Sequence, residues 1–122
     1  MALSSVRATG RALLANLSDD EVRKIYPDEF LPQVTKASLK TRTELLAMLQ
    51  RAREEGHAEE LATTRPHMYS YGALVATSSR KSIAGVAVSL YEGDITPALE
   101  RAAIKAIREL AHHLSRFGEL LT

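Results

Sequence analysis

A chain of 122 residues, 45% of them apolar and 25% charged, has the size and composition of one globular domain and is too short for two. Sixteen basic and fifteen acidic residues leave a formal charge of +1, so no basic field argues for direct contact with nucleic acid. The absence of cysteine excludes a disulfide framework, a thiol nucleophile and a cysteine-based zinc site, and fits a reducing cytoplasm.

The first 17 residues, MALSSVRATGRALLANL, carry Arg7 and Arg11 and no acid, a composition faintly like an organellar transit peptide. With no cleavage-like break, they are expected to form an amphipathic helix from about Ser5 to Leu17. Ser18 and Glu21 have capping-box spacing, and Asp19 and Asp20 fall in the first turn, where the helix dipole favours acids. Pro27 stops this second helix, and residues 28–40, with Pro32, read as a loop. Thr41 and Glu44 form a second capping box before a helix with Leu45, Leu46, Leu49 and Ala52 on one face. Gly56 is its expected terminator. A short strand, about His57 to Leu61, and the polar turn TTRPH follow. No run is long enough to span a membrane.

Residues 69–90, YSYGALVATSSRKSIAGVAVSL, are two apolar runs around a polar tip. If Ser78 to Lys81 are the loop, Thr77 faces Ser82. One face then pairs Val75 with Ala84, Ala73 with Val86, Tyr71 with Val88 and Tyr69 with Leu90. That face is bulky. The other pairs Leu74 with Gly85, Gly72 with Ala87 and Ser70 with Ser89; it is shallow and carries two hydroxyls. Two readings follow: another backbone packs closely there, or the missing bulk leaves a ligand hollow. On the second reading, a leucine at Gly72 would fill the hollow and spare the fold.

Thr96 and Pro97 open the last helix, Gly118 is expected to close it, and Leu99, Ala103, Ala106, Ile107, Leu110, Leu114 and Phe117 form its apolar stripe. Its charged face, with Glu100, Arg101, Lys105, Arg108 and Glu109, is read as solvated. The expected fold class is α+β, a small antiparallel sheet flanked by helices. Three short strands are few for so many helices, so further strands are expected from a partner chain or from upstream sequence.

No catalytic constellation emerges. His112 and His113 are adjacent and point about 100° apart on a helix, His57 and His67 are distant, and no H-x₃-H metal spacing occurs. Glu59 and Glu60 face opposite sides of a strand, so at most one points inward. There is no nucleophile elbow or phosphate loop. Neither an enzyme nor a bound cofactor is expected.

Three stretches together resemble the effector-binding domain of the isocitrate-lyase-regulator (IclR) family of bacterial transcription factors. RATGRALLANLSDDEV resembles its first helix pair; LPQVTKASLKTRTELLAMLQRAREEGHA resembles the following loop, helix and Gly-(Tyr/His)-Ala turn; SIAGVAVSL falls at its last strand. The resemblance implies a GAF- or profilin-like cytoplasmic domain that binds a small organic or aromatic acid and forms a homodimer or homotetramer. DNA would be reached only through an amino-terminal winged helix-turn-helix that, like the first strands, is absent here, making residues 1–122 a fragment. The family's ligand-contacting backbone corresponds to Ala8 and Thr9, its acidic strand-end position to Glu60, its hairpin-opening polar position to Ser70 and its last strand serine to Ser89. Gly72 and Ala87 complete the expected ligand set by strand pairing. The family's acidic run is reduced to Glu59 and Glu60, LATTRPHMY replaces the usual approach to the strand, and Ala87 stands for a serine. The alternative is a dimerisation module whose pocket is vestigial or filled.

Overall fold

The structure, a computed structural model, describes residues 7–63, 65–76 and 82–121. Helices α1 (Ala8–Ala15), α2 (Asp19–Ile25) and α3 (Arg42–Glu55) precede strands β1 (Ala58–Leu61), β2 (Met68–Ala76) and β3 (Ser82–Tyr91), and α4 (Pro97–Leu121) ends the chain. The sheet is antiparallel, in the order β1-β2-β3. It is the middle of three layers, with α1–α3 on one face and α4 on the other, which makes the fold α+β.

Local chemistry accounts for the helix ends. Ser18 and Glu21 form the reciprocal capping box, satisfying two of the orphan amides at the start of α2. Thr41 caps α3 alone: its Oγ1 accepts from Glu44 N, whereas the Glu44 carboxylate reaches past it to Lys40 N at 2.9 Å. The second box is thus half formed, with Glu44 spent on the preceding loop. Gly56 ends α3 in the left-handed region at φ 80°, where a Cβ is unfavourable. Arg53 ties the helices together. Its guanidinium donates to the carbonyls of Ala15 and Leu17 at 2.8 Å and to Asp19 at 3.1 Å, filling acceptors that the end of α1 leaves open. Leu14, Val22, Tyr26, Leu31, Leu45, Met48 and Leu49 make the core beneath.

The bulky hairpin face is the one that takes α4. Tyr71, Ala73 and Val75 pack on Ile107 and Ala111, with Val86, Val88 and Leu90 at the margin. Tyr71 is fully buried, and its hydroxyl donates to Glu100 at 2.6 Å; burial and this carboxylate push its pKa up. Glu100 therefore belongs to the sheet–helix contact, not to a purely solvated face. Helix α4 also runs through Gly118 to Leu121, so that glycine is not its terminator. Its apolar stripe is wider than the sheet can cover: Ala103 and Ile107 are buried, while Leu99, Leu110 and Phe117 remain 39%, 48% and 57% exposed.

The hairpin register is as read from the sequence between Tyr69↔Leu90 and Val75↔Ala84. A bulge then sets Ala76, not Thr77, opposite Ser82. There the Ala76 amide turns to Ser115 Oγ at 3.1 Å, while that hydroxyl donates to Ala111 O at 2.8 Å. The loop expected at Ser78–Lys81 lies outside the described residues, as does the expected helix start at Ser5; α1 begins at Ala8.

The shallow face takes α1. A Cβ built on Gly72 would lie 2.6 Å from the Ala8 carbonyl oxygen, and one on Gly85 would lie 3.1 Å from that of Thr9. Close backbone packing is thus the reason for both glycines, and Gly72 does not face an empty hollow. Gly72→Ala is expected to destabilise the domain by about 1–3 kcal/mol, the usual cost of overpacking. Urea denaturation measures this directly, and an unchanged midpoint would contradict the contact.

Candidate ligand-binding site

Antiparallel pairing assembles rows of side chains across the sheet. Ala58, Gly72 and Ala87 form one such row on the α1 face, and Glu60, Ser70 and Ser89 form the next. Helix α1 covers the first row, its first carbonyl lying on Gly72. It starts there, so the second row lies beyond its amino terminus and is not covered by its backbone. The result is a hollow of about 360 Å³ lined by Arg7, Ala8, Thr9, Glu60, Arg65, Met68, Ser70, Ala87 and Ser89.

Six of the seven residues expected at a ligand site come together here: Ala8, Thr9, Glu60, Ser70, Ala87 and Ser89. Gly72, the seventh, is buried beneath α1 instead. Ser70 Oγ and Ser89 Oγ are hydrogen-bonded to each other at 2.7 Å. A hydroxyl has one donor and two acceptor sites, so this bond leaves capacity for a ligand oxygen.

Charge in the hollow is divided. Glu60 is buried, and its negative charge acts on Arg11, a residue of α1 that is itself 3% exposed. Burial pushes the Arg11 guanidinium down to about 10, against the raising effect of Glu60. The same guanidinium donates to Glu59 O at 2.6 Å and to Thr63 Oγ1 at 3.3 Å. Arg11 thus offsets Glu60 and holds β1 under α1. Among the described residues, the other charges lining the hollow are the exposed Arg7 and Arg65. Arg7 is also the N-cap of α1, which has no side-chain cap, and a helix start favours an anion. Cations, helix dipole and hydroxyls thus favour an anion with oxygen acceptors.

The β1–β2 loop holds Arg65 and Met68 at the rim. Ala62 and His67 sit in the left-handed region at φ 63° and 66°, and Ala62 N donates to Met68 O at 2.9 Å. Thr35 and Ser38 hydroxyls donate to the carbonyls of Ala62 and Thr63 at 2.7 and 3.1 Å, which ties the loop to the segment before α3. Sequence reasoning missed Arg7, Arg11, Arg65 and Met68. An arginine in the small-residue run ATGRALLA, where only a buried partner would justify it, was the available signal for Arg11.

A larger hollow, about 630 Å³, lies at the other end of α1, among Ala12, Ala15, Leu17, Ala52, Ala58 and Leu74. It is mostly apolar, and its arginine, Arg53, is engaged in the interhelical bonds described above. The smaller hollow has the convergent polar groups that orient a ligand.

A separate cluster joins α3 to β1. His57 Nε2 lies 2.9 Å from Glu59 Oε2 and 3.7 Å from Glu55 Oε2. These three ligand-capable groups are within 4.8 Å of one another, a proximity that histidine spacing alone did not reveal. The hydrogen bond to Glu59 raises the pKa of His57 despite its burial, and the same bond lowers that of Glu59. The cluster is accounted for as an ion-pair clasp.

The family described as the C-terminal domain of the bacterial transcriptional regulator IclR matches residues 5–116. No curated protein matches in sequence. Among solved structures, the chain is similar to the repressor BlcR of Agobacterium tumefaciens, with 26% identity and a TM-score of 0.86 over 93% of this chain and 46% of that one. It is also similar to the C-terminal domain of the E. coli transcriptional regulator KdgR, with 22% identity and a TM-score of 0.84 over 93% and 69%. A third is the inducer-binding domain of a PobR double mutant from Acinetobacter in complex with 3-hydroxybenzoic acid, with 16% identity and a TM-score of 0.81 over 92% and 65%. The chain spans about half the length of the BlcR chain that it matches.

The clasp has a pH signature. His57 contributes stability that is fully present below the ordinary imidazole value of 6.5 and is lost as pH rises through its raised folded value. Glu59 contributes stability that is lost as pH falls from its ordinary value of 4.5 through its lowered folded one. Glu59→Gln is therefore expected to destabilise the domain most between these limits and least in alkaline solution. Denaturation of both proteins from pH 4 to 9 measures the difference, and a pH-independent gap would contradict the ion pair.

Proposed function

Because the chain belongs to the family of C-terminal domains of bacterial IclR-type transcriptional regulators, we propose that it senses a small organic or aromatic acid on behalf of such a regulator. The observation that carries this reading is the row Glu60–Ser70–Ser89 at the start of α1, flanked by Arg7 and Arg65. A carboxylate at the helix start would be met by the amides of Ala8 and Thr9 and by the arginines, with the serine pair oriented toward its oxygens. A volume of about 360 Å³ is at the small end of ligand pockets, which favours a molecule of one ring or a short chain. The 3-hydroxybenzoic acid in the PobR structure is an acid of this size, but at 16% identity that likeness carries the fold alone. The class of effector rests on the hollow.

On this reading the domain acts in the cytoplasm, as a homodimer or homotetramer, and affects DNA only through a winged helix-turn-helix domain outside these residues. Among the described residues no helix is long and apolar enough to cross a membrane. The matched relatives are transcriptional regulators, which supports a sensory role over an enzymatic one. A second reading, a dimerisation module with a filled pocket, draws on the packing of α1 against Gly72 and Gly85. It would make the remaining hollow a residue of packing.

The test is a thermal-shift and calorimetric titration with benzoate, hydroxybenzoates and short aliphatic acids. A ligand at one hundred times its Kd raises native stability by about 2.7 kcal/mol. Ser70→Ala or Ser89→Ala should weaken binding by about 0.5–1.5 kcal/mol, or up to about 3 for a charged ligand. Arg65→Ala should weaken acids but not the corresponding alcohols. If no acid shifts the melting temperature and the serine variants only lower stability, the module reading replaces sensing.

A further inference from the structure

The turn that leads into β2 holds a side chain where glycine would cost least. Met68 N donates to Arg65 O at 3.3 Å, which closes a turn with Pro66 and His67 at its centre. Proline at the first central position and a positive φ at the second are the signature of a type II turn, whose second position favours glycine. His67 occupies it at φ 66°. Histidine enters the left-handed region more readily than most residues, yet glycine does so at no steric cost. A backbone held in a sparsely populated region directs attention to what its side chain does.

The imidazole reaches the end of β3. Its Nδ1 lies 2.9 Å from Glu92 Oε2, and because a carboxylate only accepts, the ring nitrogen is the donor. The ring also contacts Tyr91, with centroids 6.3 Å apart. Glu92, which opens the short 3-10 turn after β3, is held twice more: its amide donates to His67 O at 2.7 Å, and the Tyr69 hydroxyl donates to its Oε1 at 3.2 Å. The bonds from His67 and Tyr69 keep the Glu92 carboxyl below the usual carboxylate value. Folding gains little from this pair, because the His67 and Glu92 side chains are 65% and 46% exposed.

Its effect is on position. Arg65 opens the turn and Met68 closes it, and both line the hollow. The other end of the loop is already tied down by Thr35 and Ser38, through the carbonyls of Ala62 and Thr63. We propose that His67 and Glu92 form a positioning clamp that holds Arg65 against the hollow. Neither is among the residues that line it; they act on it through Arg65. The consequence for ligands rests on the sensing reading, under which the clamp sets the affinity for acids. Without it, an acid must order the arginine on binding, which costs entropy.

The test compares the wild type, His67→Gly, Arg65→Ala and the double variant, titrated calorimetrically with benzoate and with benzyl alcohol as its uncharged analogue. Glycine suits φ 66°, so His67→Gly should leave the melting temperature of the free protein nearly unchanged. It is expected to weaken benzoate by about two- to tenfold, the equivalent of ordering one long side chain, and to leave benzyl alcohol unaltered. In the Arg65→Ala background it should change neither, the mark of a residue that acts through Arg65. Glu92→Ala should match His67→Gly, whereas Glu92→Gln keeps an acceptor for the imidazole and should retain most of the affinity. Nitrogen-15 relaxation gives a readout without ligand: fast motion of the Arg65 and Met68 amides should rise in His67→Gly. Unaltered motion, or a loss of benzoate affinity that is just as large in the Arg65→Ala background, would overturn the clamp. A wild type that binds no acid, with the motion changed as stated, would overturn sensing and leave the clamp supported as the device that orders Arg65.

Discussion

The contact between the Ala8 carbonyl and Gly72 fixes the geometry on which the rest of the molecule depends. A sheet and a helix usually keep apart by the thickness of their side chains; here the helix backbone rests on the strand, because a Cβ at Gly72 would come within 2.6 Å of it. That depth places Arg11 within reach of Glu59 O and Thr63 and sets the start of α1 one row short of Glu60, Ser70 and Ser89. Covering one row while leaving its neighbour open is what creates the hollow. Close packing and cavity formation, which looked like alternatives for this face, are adjacent parts of one arrangement.

The polar groups around the hollow have unequal duties. Glu60 and Arg11 are both buried and act on each other; removing either would strand a buried charge, which is costly. Arg7 and Arg65 are exposed and contribute little to folding by comparison. A charge that the fold does not need is the kind that can be committed to a ligand. This separation of structural from available charge underlies the proposed preference for an acid, since the nearest carboxylate is already offset.

Much of this was legible in the sequence because it follows from short-range rules. The Ser18–Glu21 box, the Thr41 and Thr96 caps, the Gly56 terminator and the row containing Ser70 and Ser89 need only local spacing or period-two alternation. What escaped reading depends on tertiary context. Glu44 turned to Lys40 because the preceding loop presents that amide. Gly118 continues the helix because glycine only permits a helix end and does not impose one. The bulge at Val75/Ala76 occurs where Ser115, from a distant helix, takes the Ala76 amide. Arg11 sits on an otherwise apolar helix, and no local rule names the carbonyl and carboxylate that justify its burial.

Helix α4 carries more apolar surface than the three described strands cover: Leu99, Leu110 and Phe117 stay exposed. Successive helix residues turn by about 100°, so these three lie on one flank of the stripe that Ala103, Ile107 and Ala111 seat on the sheet. Strand β3 joins the two sides of the sheet, because its odd-numbered Ala87 and Ser89 line the hollow while its even-numbered Val86, Val88 and Leu90 pack toward α4.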